Sequence, residues 1–489
     1  MLRDKQKKLP HFLLSLFTIT LSMVHIPLHA HLTSFNKIDP IPMFTTLNLD
    51  DQLLLTKEQL FYKDYDWAEK KHNHFVFSLS PFAQNADRGK TIKGERCSLP
   101  FPLKDDCGNT ITDTPLGDLT GRTAMIPLLY NTNGKWPNNI EDPEKAFGAG
   151  SALLAAYKAL FPEGANLNSE NFIDPDQRFA YFSFPMKYRK RGVAFQAAAR
   201  FFNFGLYIQT RVSTIRQVSQ DIINLTNLTP PAAEVPAGIS AADVDRLLMD
   251  EVQTIAQQSN IDMCNDFIRT SLEEIRFNLF WRQAFAVNQD ADSDWAKFLV
   301  IPYVLAGASA SPSKMEDQFN FFAAPFGNNG HSSVGFTTGL NLDFLETIEI
   351  GGEIGYTHFF NRRYCRPVPN NEFQMNLYPF STQVDVSPGD NWYFCARLAA
   401  YHFVDKLSMY FEWYVLDHDK DSICLVNPDP AFVPCVLECE SSWKVKVANA
   451  GFNYDLSPNI GVGFLWQIPL SQRNAYRSST IMASFNVTF

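Results

Sequence analysis

The chain ends in the segment Ile481-Met-Ala-Ser-Phe-Asn-Val-Thr-Phe489, whose side chains alternate between two kinds. Every second residue, from Ile481 to Phe489, is apolar, and the residues between them are mostly small and polar. Because neighbouring side chains of a β-strand point to opposite faces, this alternation predicts a strand with one apolar face. Such strands occur in soluble sandwiches and in membrane barrels, so the sequence upstream has to separate the two.

Similar runs with a period of two fill the C-terminal part of the chain. They begin at Val334, Ile348, Asn391, Leu407, Trp443 and Ile460. Each has about ten residues or more, which is the length that a tilted strand needs to cross a bilayer. Short connections near 345–347, 404–406 and 455–458 alternate with long ones at 361–390 and 417–442. Short turns at one end and long loops at the other are expected of a membrane barrel, and a soluble sandwich has no reason to sort its loops in this way.

The first half of the chain supplies further candidate strands. These are Phe75–Ala86, Phe179–Tyr188, Val193–Phe202, Phe204–Ser213 and Phe298–Ala308. Together with the runs from Val334 onward they give about 12 strands, and 87–177 has room for more, for example around Thr123–Tyr130. The sequence therefore predicts an all-β fold, a transmembrane antiparallel β-barrel of about 12 to 16 strands.

The segment 214–293 departs from this period. Ser240-Ala-Ala-Asp243 resembles a capping box, and apolar residues follow it at helical spacing as far as Ile255. The same spacing recurs in Ile268, Leu272, Ile275 and Leu279, which predicts a second helix. We therefore expect a helical insertion between strands. Counting strands back from the C-terminus places it at the short-turn end of the barrel, and one additional strand would place it at the opposite end.

The N-terminus has the composition of an export signal. A basic start precedes the apolar run Phe12–Leu28, and Leu28-His29-Ala30 offers a cleavage site. We expect a signal peptide at 1–30, with an uncleaved anchor as the alternative, and then a periplasmic segment at 31–73. The barrel is expected to fill 74–489, including a long loop at 87–177 and the helical insertion. After the signal, no stretch has the roughly 18 apolar residues of a transmembrane helix.

Composition and motifs exclude several functions. The formal net charge of −10 argues against nucleic-acid binding, which needs a basic surface, and the aromatic content of 14% argues against a disordered chain. Asp290-x-Asp292-x-Asp294 begins like a calcium loop but has Trp295 where that loop needs glycine. The sequence contains no G-x-S-x-G motif. We therefore predict no catalytic, metal-binding or cofactor site and no enzymatic activity.

Cysteines are the next candidates for a structural role, because an exported protein meets an oxidising compartment. The nearest loop pairs are Cys97 with Cys107, and Cys424 with either Cys435 or Cys439. These five residues are the disulfide candidates, and their spacing alone does not fix the connectivity.

Strand parity predicts which side chains face the interior. If the apolar stripes face lipid, the opposite set faces the lumen, and it contains charged residues, amides and tyrosines. These pore-lining candidates are Gln196, Arg200, Gln209, Arg211, Glu349, Glu353, Arg397, Tyr410, Glu412, Tyr414, Lys444 and Lys446. One function that fits is a passive pore for small solutes, in which charged rings set the selectivity. The alternative is a structural or adhesive surface barrel with a filled lumen and disulfide-bearing extracellular loops.

Two features resemble a known class of proteins. The terminal strand, with Phe485, Val487 and Phe489, resembles the C-terminal signal of Gram-negative outer-membrane barrel proteins of the porin-like class. The turn Tyr454-Asp-Leu-Ser-Pro-Asn459 resembles turns common in those proteins, and the resemblance is clearest over 330–489. It implies an outer-membrane location, contact with outer-membrane lipid, passage of small solutes, and recognition of the last strand by the barrel-assembly machinery. It also makes a homo-oligomer an option, and it indicates no specific porin family.

Overall fold

Long antiparallel strands dominate this computed structural model. It describes residues 73–90, 114–115, 123–124, 181–183, 185–201, 203–219, 223–224, 253, 261–263, 266–287, 298–313, 320–344, 347–369, 378, 380–404, 406–430, 432–457, 459–473 and 475–488. In chain order the barrel strands are β1 (Asn73–Ala86), β2 (Met186–Phe201), β3 (Phe204–Ser219), β4 (Phe267–Arg282), β5 (Phe298–Ala310), β6 (Ser333–Phe344), β7 (Ile348–Phe359), β8 (Asn391–Val404), β9 (Leu407–His418), β10 (Trp443–Ser457), β11 (Ile460–Arg473) and β12 (Ser479–Thr488). Branched and aromatic residues with a period of two favour strands, because they pack well on a pleated surface.

The 12 strands close into a barrel. Each strand pairs with its neighbours in the sequence, and the last pairs with the first, from Val76 opposite Thr488 to Asn85 opposite Ser479. Strand β4 also pairs with β5, which completes the circle. Among these strands the sheet has no free edge, so their backbone groups bond within the barrel, as a lipid environment requires.

The connections differ in length between the two ends of the barrel. Tight turns join β2 to β3, β6 to β7, β8 to β9 and β10 to β11 at one end, here called the short-turn end. At the other end, the long-loop end, the chain travels between strands from 86 to 186, 219 to 267, 310 to 333, 359 to 391 and 418 to 443. Two connections depart from this sorting, because 283–297 is a long connection at the short-turn end and 474–478 is a short one at the long-loop end. The other connections follow the predicted arrangement.

The outward face of the barrel is apolar. Its large exposed side chains include Phe77, Phe195, Leu206, Ile208, Val212, Leu279, Val304, Phe336, Leu340, Ile350, Ile354, Phe394, Met409, Phe452, Phe464, Trp466, Ile481 and Phe485. A soluble protein rarely exposes a continuous apolar surface of this extent to water. This surface, here called the apolar belt, therefore faces lipid. No helix in the described part of the chain is long and apolar enough to span a membrane.

One predicted helix is in fact a barrel strand. The supposed second helix of the insertion near 214–293 coincides with β4, so that prediction is wrong there. The apolar spacing comes from a β-bulge, because Thr210 of β3 pairs with Ile275 whereas Val212 pairs with Leu272. The extra residue in β4 shifts by one the positions that face outward. The apolar residues before the bulge and those after it are therefore out of step with each other, and together they imitate helical spacing.

The missed strand changes two further expectations. It places the connection between Ser219 and Phe267 at the long-loop end instead of the short-turn end. It also replaces Phe179–Tyr188 in the strand count, because Tyr181–Ser183 forms a short strand in a separate sheet. The predicted first helix lies outside the described residues apart from Gln253, which is helical. So do the predicted signal peptide, nearly all of the periplasmic segment and most of the long loop.

Two long connections form a small sheet, here called the cap. Its strands are Arg362–Pro367, Ser381–Ser387 and Ser422–Leu425, and a short helix, α1 (Cys435–Ser441), packs on them. Leu437 of this helix joins a buried cluster with Val368, Tyr378, Val384, Val386 and Ile423. The cap therefore has a hydrophobic core of its own.

The cap contradicts the disulfide predicted between Cys424 and either Cys435 or Cys439. Cys424 lies opposite Asp385 on the exposed face of the cap sheet, whereas α1 packs on the other face. The sheet therefore separates these sulfur atoms, and the described cysteines form no disulfide. The other predicted pair, Cys97 with Cys107, lies outside the described residues.

Candidate functional site

The inward face of the barrel is polar over most of its length. Charged side chains come mainly from β3, β4 and β6 to β9, and we call this surface the charged wall. It contains Arg211, Glu273, Glu274, Arg276, Arg282, Asp343, Glu349, Glu353, Arg397 and Glu412, all buried. The opposite surface, the amide wall, comes mainly from β11, β12, β1 and β2. It contains Ser78, Ser80, Gln84, Gln196, Gln467, Thr480 and Asn486.

One network of charges lies toward the long-loop end. This outer cluster consists of Lys190, Arg211, Glu273, Glu274 and Arg276. Lys190 Nζ lies 2.8 Å from Glu273 Oε1, and Arg276 Nη2 lies 2.6 Å from Glu274 Oε1. Arg211 approaches both carboxylates, at 3.7 Å and 3.4 Å. The bulge in β4 buries the two adjacent glutamates together, where strict alternation would have separated them. Three cations face two carboxylates, so the outer cluster is net positive.

A second network lies nearer the short-turn end. This inner cluster consists of Arg282, Glu349, Arg397, Tyr401 and Glu412. Arg397 lies 3.8 Å from both Glu349 and Glu412, and Arg282 lies 3.8 Å from Glu349. The Tyr401 hydroxyl donates to Glu349 at 3.3 Å. Separations near 3.8 Å are too long for direct hydrogen bonds, so these charges attract one another without being locked together.

The two clusters differ in the charge of their surroundings. The inner cluster balances two arginines with two carboxylates, and Asp343 and Glu353 are buried on the same wall. The Tyr303 hydroxyl donates a hydrogen bond to Glu353. The described part of the lumen is therefore positive toward the long-loop end and negative nearer the short-turn end, and such a separation influences which ions enter a pore.

The amide wall is linked by neutral hydrogen bonds. Gln84 Nε2 donates to Thr480 Oγ1 at 3.0 Å, and Thr480 Oγ1 donates to Gln467 Oε1 at 3.1 Å. Gln196 and Gln209 oppose each other on β2 and β3, and neither side-chain amide has a protein partner within the described structure. Leaving a buried polar group unbonded costs about 1–3 kcal/mol, so these amides require water.

The connection from β5 to β6 folds into the lumen. Its residues Phe321–His331, here called the inward segment, are all buried. Asn328 Nδ2 donates to Ser309 Oγ of β5 at 3.1 Å. Gly327 lies against the outer cluster, since a Cβ at this position would come within 2.2 Å of Glu274 Oε2. The inward segment therefore occupies the interior next to the positively charged part of the lumen.

Three residues of the inward segment have a left-handed backbone. Gly327, Asn329 and Gly330 have φ angles of 50°, 47° and 82°. Glycine adopts this conformation at little cost, and asparagine does so more readily than most residues. The sequence Gly-Asn-Asn-Gly is therefore suited to the reversal that lets the chain enter the lumen and return to β6.

His331 closes the inward segment and fastens it to the chain beyond β7. Its Nδ1 donates to the Phe360 carbonyl at 2.9 Å, and Arg362 donates to the Gly330 carbonyl. Burial lowers the pKa of His331 below its ordinary value of 6.5. The bond to Phe360 and the charge of Asp421 oppose this shift, whereas Arg362 and Arg366 act in the same direction as burial. The ring is therefore neutral in the folded protein at neutral pH.

An apolar cluster, the mouth core, replaces the polar lining where β9 and β10 approach the long-loop end. Its buried members are Phe359, Leu416, Trp443, Val445 and Ala475. The Trp443 ring also stacks on His418, with ring centroids 5.1 Å apart. Packed apolar side chains therefore occupy the interior at this level of the barrel.

The mouth core explains two wrong predictions. Lys444 and Lys446 lie on the outward face, where Lys444 Nζ is 2.5 Å from Asp417 Oδ2 and Lys446 is exposed. The prediction assumed that apolar residues face lipid, which would place Val445 outward and the lysines on either side of it inward. Here the strands extend beyond the apolar belt, so the outward face meets a polar environment and the inward face packs on protein. The alternation in β10 is unbroken around these lysines, and the register shift beside Lys446 comes from an extra residue, Leu470, in β11.

Most other predicted pore-lining residues share the inward face. These are Gln196, Gln209, Arg211, Glu349, Glu353, Arg397, Tyr410, Glu412 and Tyr414. That they line a conducting pore stays a prediction. Arg200 belongs to β2, but the structure does not describe its side chain. Phe485 points outward with 42% of its side chain exposed and Val487 is half-buried, and Phe489 lies outside the described residues.

Several residues of the outer cluster were not predicted from the sequence. Lys190 fell between two runs that were assigned as separate strands, although counting back in steps of two from Gln196 places it inward. Glu273 and Glu274 fell in the supposed second helix. The available signal was an adjacent acidic pair between two period-two apolar runs, which is how a bulge can look in a sequence.

Comparisons with known proteins give only distant structural matches. No family model and no curated protein matches the chain. An outer membrane channel from Pseudomonas putida F1 is 7% identical with a TM-score of 0.41, over 86% of this chain and 96% of that one. The translocator domain of autotransporter NalP from Neisseria meningitidis is 7% identical with a TM-score of 0.33, over 90% and 94%. The P. putida toluene transporter TodX is 7% identical with a TM-score of 0.30, over 88% and 93%.

Proposed function

We propose that the chain is a passive channel for small polar solutes in the outer membrane of a Gram-negative bacterium. The observation that carries this proposal is the polar lining, in which the buried amides of Gln196 and Gln209 lack protein partners among the described residues. Water at these groups provides the medium in which a small polar solute travels. The closed barrel, the apolar belt and the sorted loops support the outer-membrane location.

The number of strands suits a narrow passage. Barrels of about 8 strands are filled by their own side chains, whereas those of about 16 to 18 leave a wide aqueous channel. A barrel of 12 strands lies between these cases. Long arginine and glutamate side chains narrow it further, so the passage admits ions and small metabolites.

The outer and inner clusters act in series on a passing ion. An anion is favoured beside the outer cluster, and a cation is favoured beside the inner cluster, where Asp343 and Glu353 add carboxylates. Several inner ion pairs are 3.8 Å apart, so their charges attract one another without a direct hydrogen bond between the paired groups. Ion selectivity in this channel comes from the balance between the positive charge of the outer cluster and the negative charge around the inner cluster.

The described conformation corresponds to a closed channel. The inward segment fills the lumen beside the outer cluster, and Glu273 and Glu412 are 0% exposed. Opening requires the inward segment to withdraw toward the long-loop end, from which it enters. The segment is held by hydrogen bonds to Ser309 and Phe360, by the bond from Arg362 to the Gly330 carbonyl, and by the burial of its phenylalanines, each of which contributes about 1.5–3 kcal/mol. Withdrawal is therefore infrequent.

A structural surface barrel is the second candidate function. The buried ion pairs favour it, because a lumen filled by paired charges needs no solute. The cap, with its own core, offers an ordered surface for contact with a partner. The disulfides expected for this alternative do not occur among the described cysteines.

Conductance in a planar bilayer separates these candidates. The full chain is refolded in detergent and compared with a variant in which a short Gly-Ser linker replaces Phe321–His331. We expect small or infrequent steps from the wild type and larger, more frequent steps from the variant, because its lumen is no longer filled. Heat-modifiable migration on gels and β dichroism verify that both are folded. If neither folded protein produces discrete, ion-selective steps, the channel is wrong and the structural barrel is favoured.

Ion selectivity tests the role of the inner cluster. Reversal potentials in a salt gradient are compared for Glu349→Gln, which removes an inward charge, and for Lys446→Gln, which removes an outward one. We expect the first to lower the preference for cations by up to about fivefold, since a charge at about 4 Å in water contributes about 1 kcal/mol. The second is expected to leave selectivity unchanged. Equal effects of the two substitutions would contradict conduction through this lumen.

We also propose that β12 is the signal read by the barrel-assembly machinery. Its support is the position of β12, which closes the barrel against β1 and presents Phe485 outward. Removal of Phe489 is expected to reduce the amount of heat-modifiable barrel in cells while leaving refolding in detergent unchanged. A loss of refolding in detergent would indicate a purely structural role.

A further inference from the structure

An exposed basic surface lies on the outside of the barrel at the long-loop end of β2 and β3. It consists of Lys187, Arg189, Arg191 and Arg216, here called the basic patch, and all four residues are exposed. Strands β2 and β3 pair along their whole length without a bulge. The outward phase of the apolar belt therefore continues unbroken to these residues, and their side chains point away from the lumen.

The basic patch begins where the apolar belt ends. Val193 and Val212 oppose each other in the belt, and the next outward pair toward the long-loop end is Arg191 with Thr214. From Phe201 to Val193 the outward residues of β2 are all apolar, over a strand length of about 26 Å. Allowing for tilt, this is comparable with the roughly 25 Å apolar band of outer-membrane barrels. The patch therefore lies at the level of the lipid headgroups.

The cations of the patch have no carboxylate partner in the described part of the chain. Arg189 and Arg216 are directly opposed across β2 and β3, and like charges in that arrangement destabilise a strand pair. Asp87, one residue beyond β1, forms no ion pair with them there. By contrast, Lys444, on the outward face at the long-loop end of β10, is paired with Asp417. In a chain with a net charge of −10, this concentration of unpaired cations is suited to an anion from outside the protein.

We propose that the basic patch binds the phosphate groups of a bisphosphorylated glycolipid of the lipid A class, in the leaflet on the side of the long loops. A phosphate monoester carries a charge of about −1.5 to −2, so two of them match four cations, whereas a phospholipid phosphodiester does not. Arginine also binds phosphate oxygens with two parallel N–H donors. The acyl chains of the same molecule then pack on Phe195 and Val212 just below the patch. This proposal rests on the outer-membrane location proposed above, and not on conduction.

Binding of lipid A in solution tests the proposal. The refolded full chain in a zwitterionic detergent is titrated with lipid A, and bound lipid is counted by native mass spectrometry. The test variant carries Arg189→Gln, Arg191→Gln and Arg216→Gln, and the control carries Lys406→Gln and Lys420→Gln, which remove exposed cations elsewhere. Each cation beside an anionic lipid contributes about fivefold, so the test variant is expected to bind about a hundredfold more weakly. The control is expected to bind as the wild type does.

Two competitors identify the source of the phosphate. Phosphatidylcholine and inorganic phosphate, each at the concentration of lipid A, are expected to leave the bound lipid A in place. Displacement by inorganic phosphate would overturn the assignment to a lipid, and equal binding by the wild type and the triple variant would overturn the patch. Heat-modifiable migration verifies folding. The single variant Arg216→Gln repeats the test with one substitution, and it is expected to bind lipid A about fivefold more weakly. The lipid-binding experiment does not depend on conductance, so a failure to bind lipid A is distinguishable from a failure of the proposed channel function.

Discussion

The apolar belt and the rim above it are built from the same strands but have opposite faces. In the belt part of β10, Phe452 points outward and Asn449 points inward. Toward the long-loop end of the same strand, Lys446 points outward and Val445 points inward. The backbone alternation is continuous between them, so only the surroundings have changed. Alternation therefore determines which residues share a face, and the height along the barrel determines what that face meets.

The same exchange of apolar and polar residues between the outward and inward faces occurs on the opposite side of the barrel. On β2 the outward residues change from Phe195 and Val193 to Arg191 and Arg189, while Tyr188 is buried. The strands are thus longer than the membrane is thick, and their outer ends form a soluble rim around the inward segment and the mouth core. This rim is where loops, lipid headgroups and the entrance to the lumen meet.

The largest effect is expected from the mouth core. Trp443→Ala should lower the free energy of unfolding by about 3–5 kcal/mol, because it leaves a cavity in a packed cluster. The matched change on the belt, Trp466→Ala, removes a side chain that is 47% exposed and should cost less. Denaturant titration of the refolded barrel, followed by circular dichroism, measures both. Equal losses would mean that the rim interior is no better packed than the lipid-facing surface.

A charge on the outward face distinguishes belt from rim directly. Ile354→Lys places a cation in the apolar belt and should destabilise the inserted barrel by about 2–4 kcal/mol. The same charge introduced by Thr214→Lys, beside the basic patch, should have much less effect on folding. Folding into vesicles at increasing denaturant concentration measures the difference. Similar effects at the two positions would place the membrane boundary elsewhere.

The fold was predictable because its main signal is periodic. A period of two over about ten residues, with sorted connections, is enough to predict a closed antiparallel barrel. The strand that escaped detection, β4, contains a bulge, and the bulge turned two period-two runs into a helical spacing. The strand count agreed only because Phe179–Tyr188 had been counted in its place. Local irregularities of one residue are therefore the main limit of this kind of prediction.

The lumen was less predictable, because strand parity shows on which face of the sheet a side chain lies but not which residue it contacts. It placed Arg397 and Glu349 inward but could not reveal that they form one network across neighbouring strands. The inward segment left almost no signal, since Gly-Asn-Asn-Gly indicates a turn and not the side of the barrel toward which it folds. The basic patch was overlooked because its residues are spread over two strands that only pair in three dimensions.

A smaller effect is expected at Gly327, in the inward segment. Gly327→Ala forces alanine into a left-handed backbone, which costs about 1–2 kcal/mol, and brings its Cβ against Glu274. The inward segment should open more often, which amide hydrogen exchange over 321–331 measures. The control is Gly352→Ala, where a Cβ meets its nearest atom at 3.5 Å. Unchanged exchange in Gly327→Ala would mean that the segment is not held at this turn.

The smallest effect is a dependence on pH through His331. Burial lowers the pKa of this histidine below 6.5, so the unfolded chain binds a proton at a higher pH than the folded one. The neutral ring therefore contributes stability above pH 6.5, and this contribution is lost as the pH falls through the lowered pKa. Because Phe360 can only accept a hydrogen bond from Nδ1, protonation occurs at the buried Nε2 and favours withdrawal of the inward segment. Hydrogen exchange of this segment should accelerate on acidification in the wild type and much less in His331→Gln, and an equal response of the two would assign the pH dependence to another group.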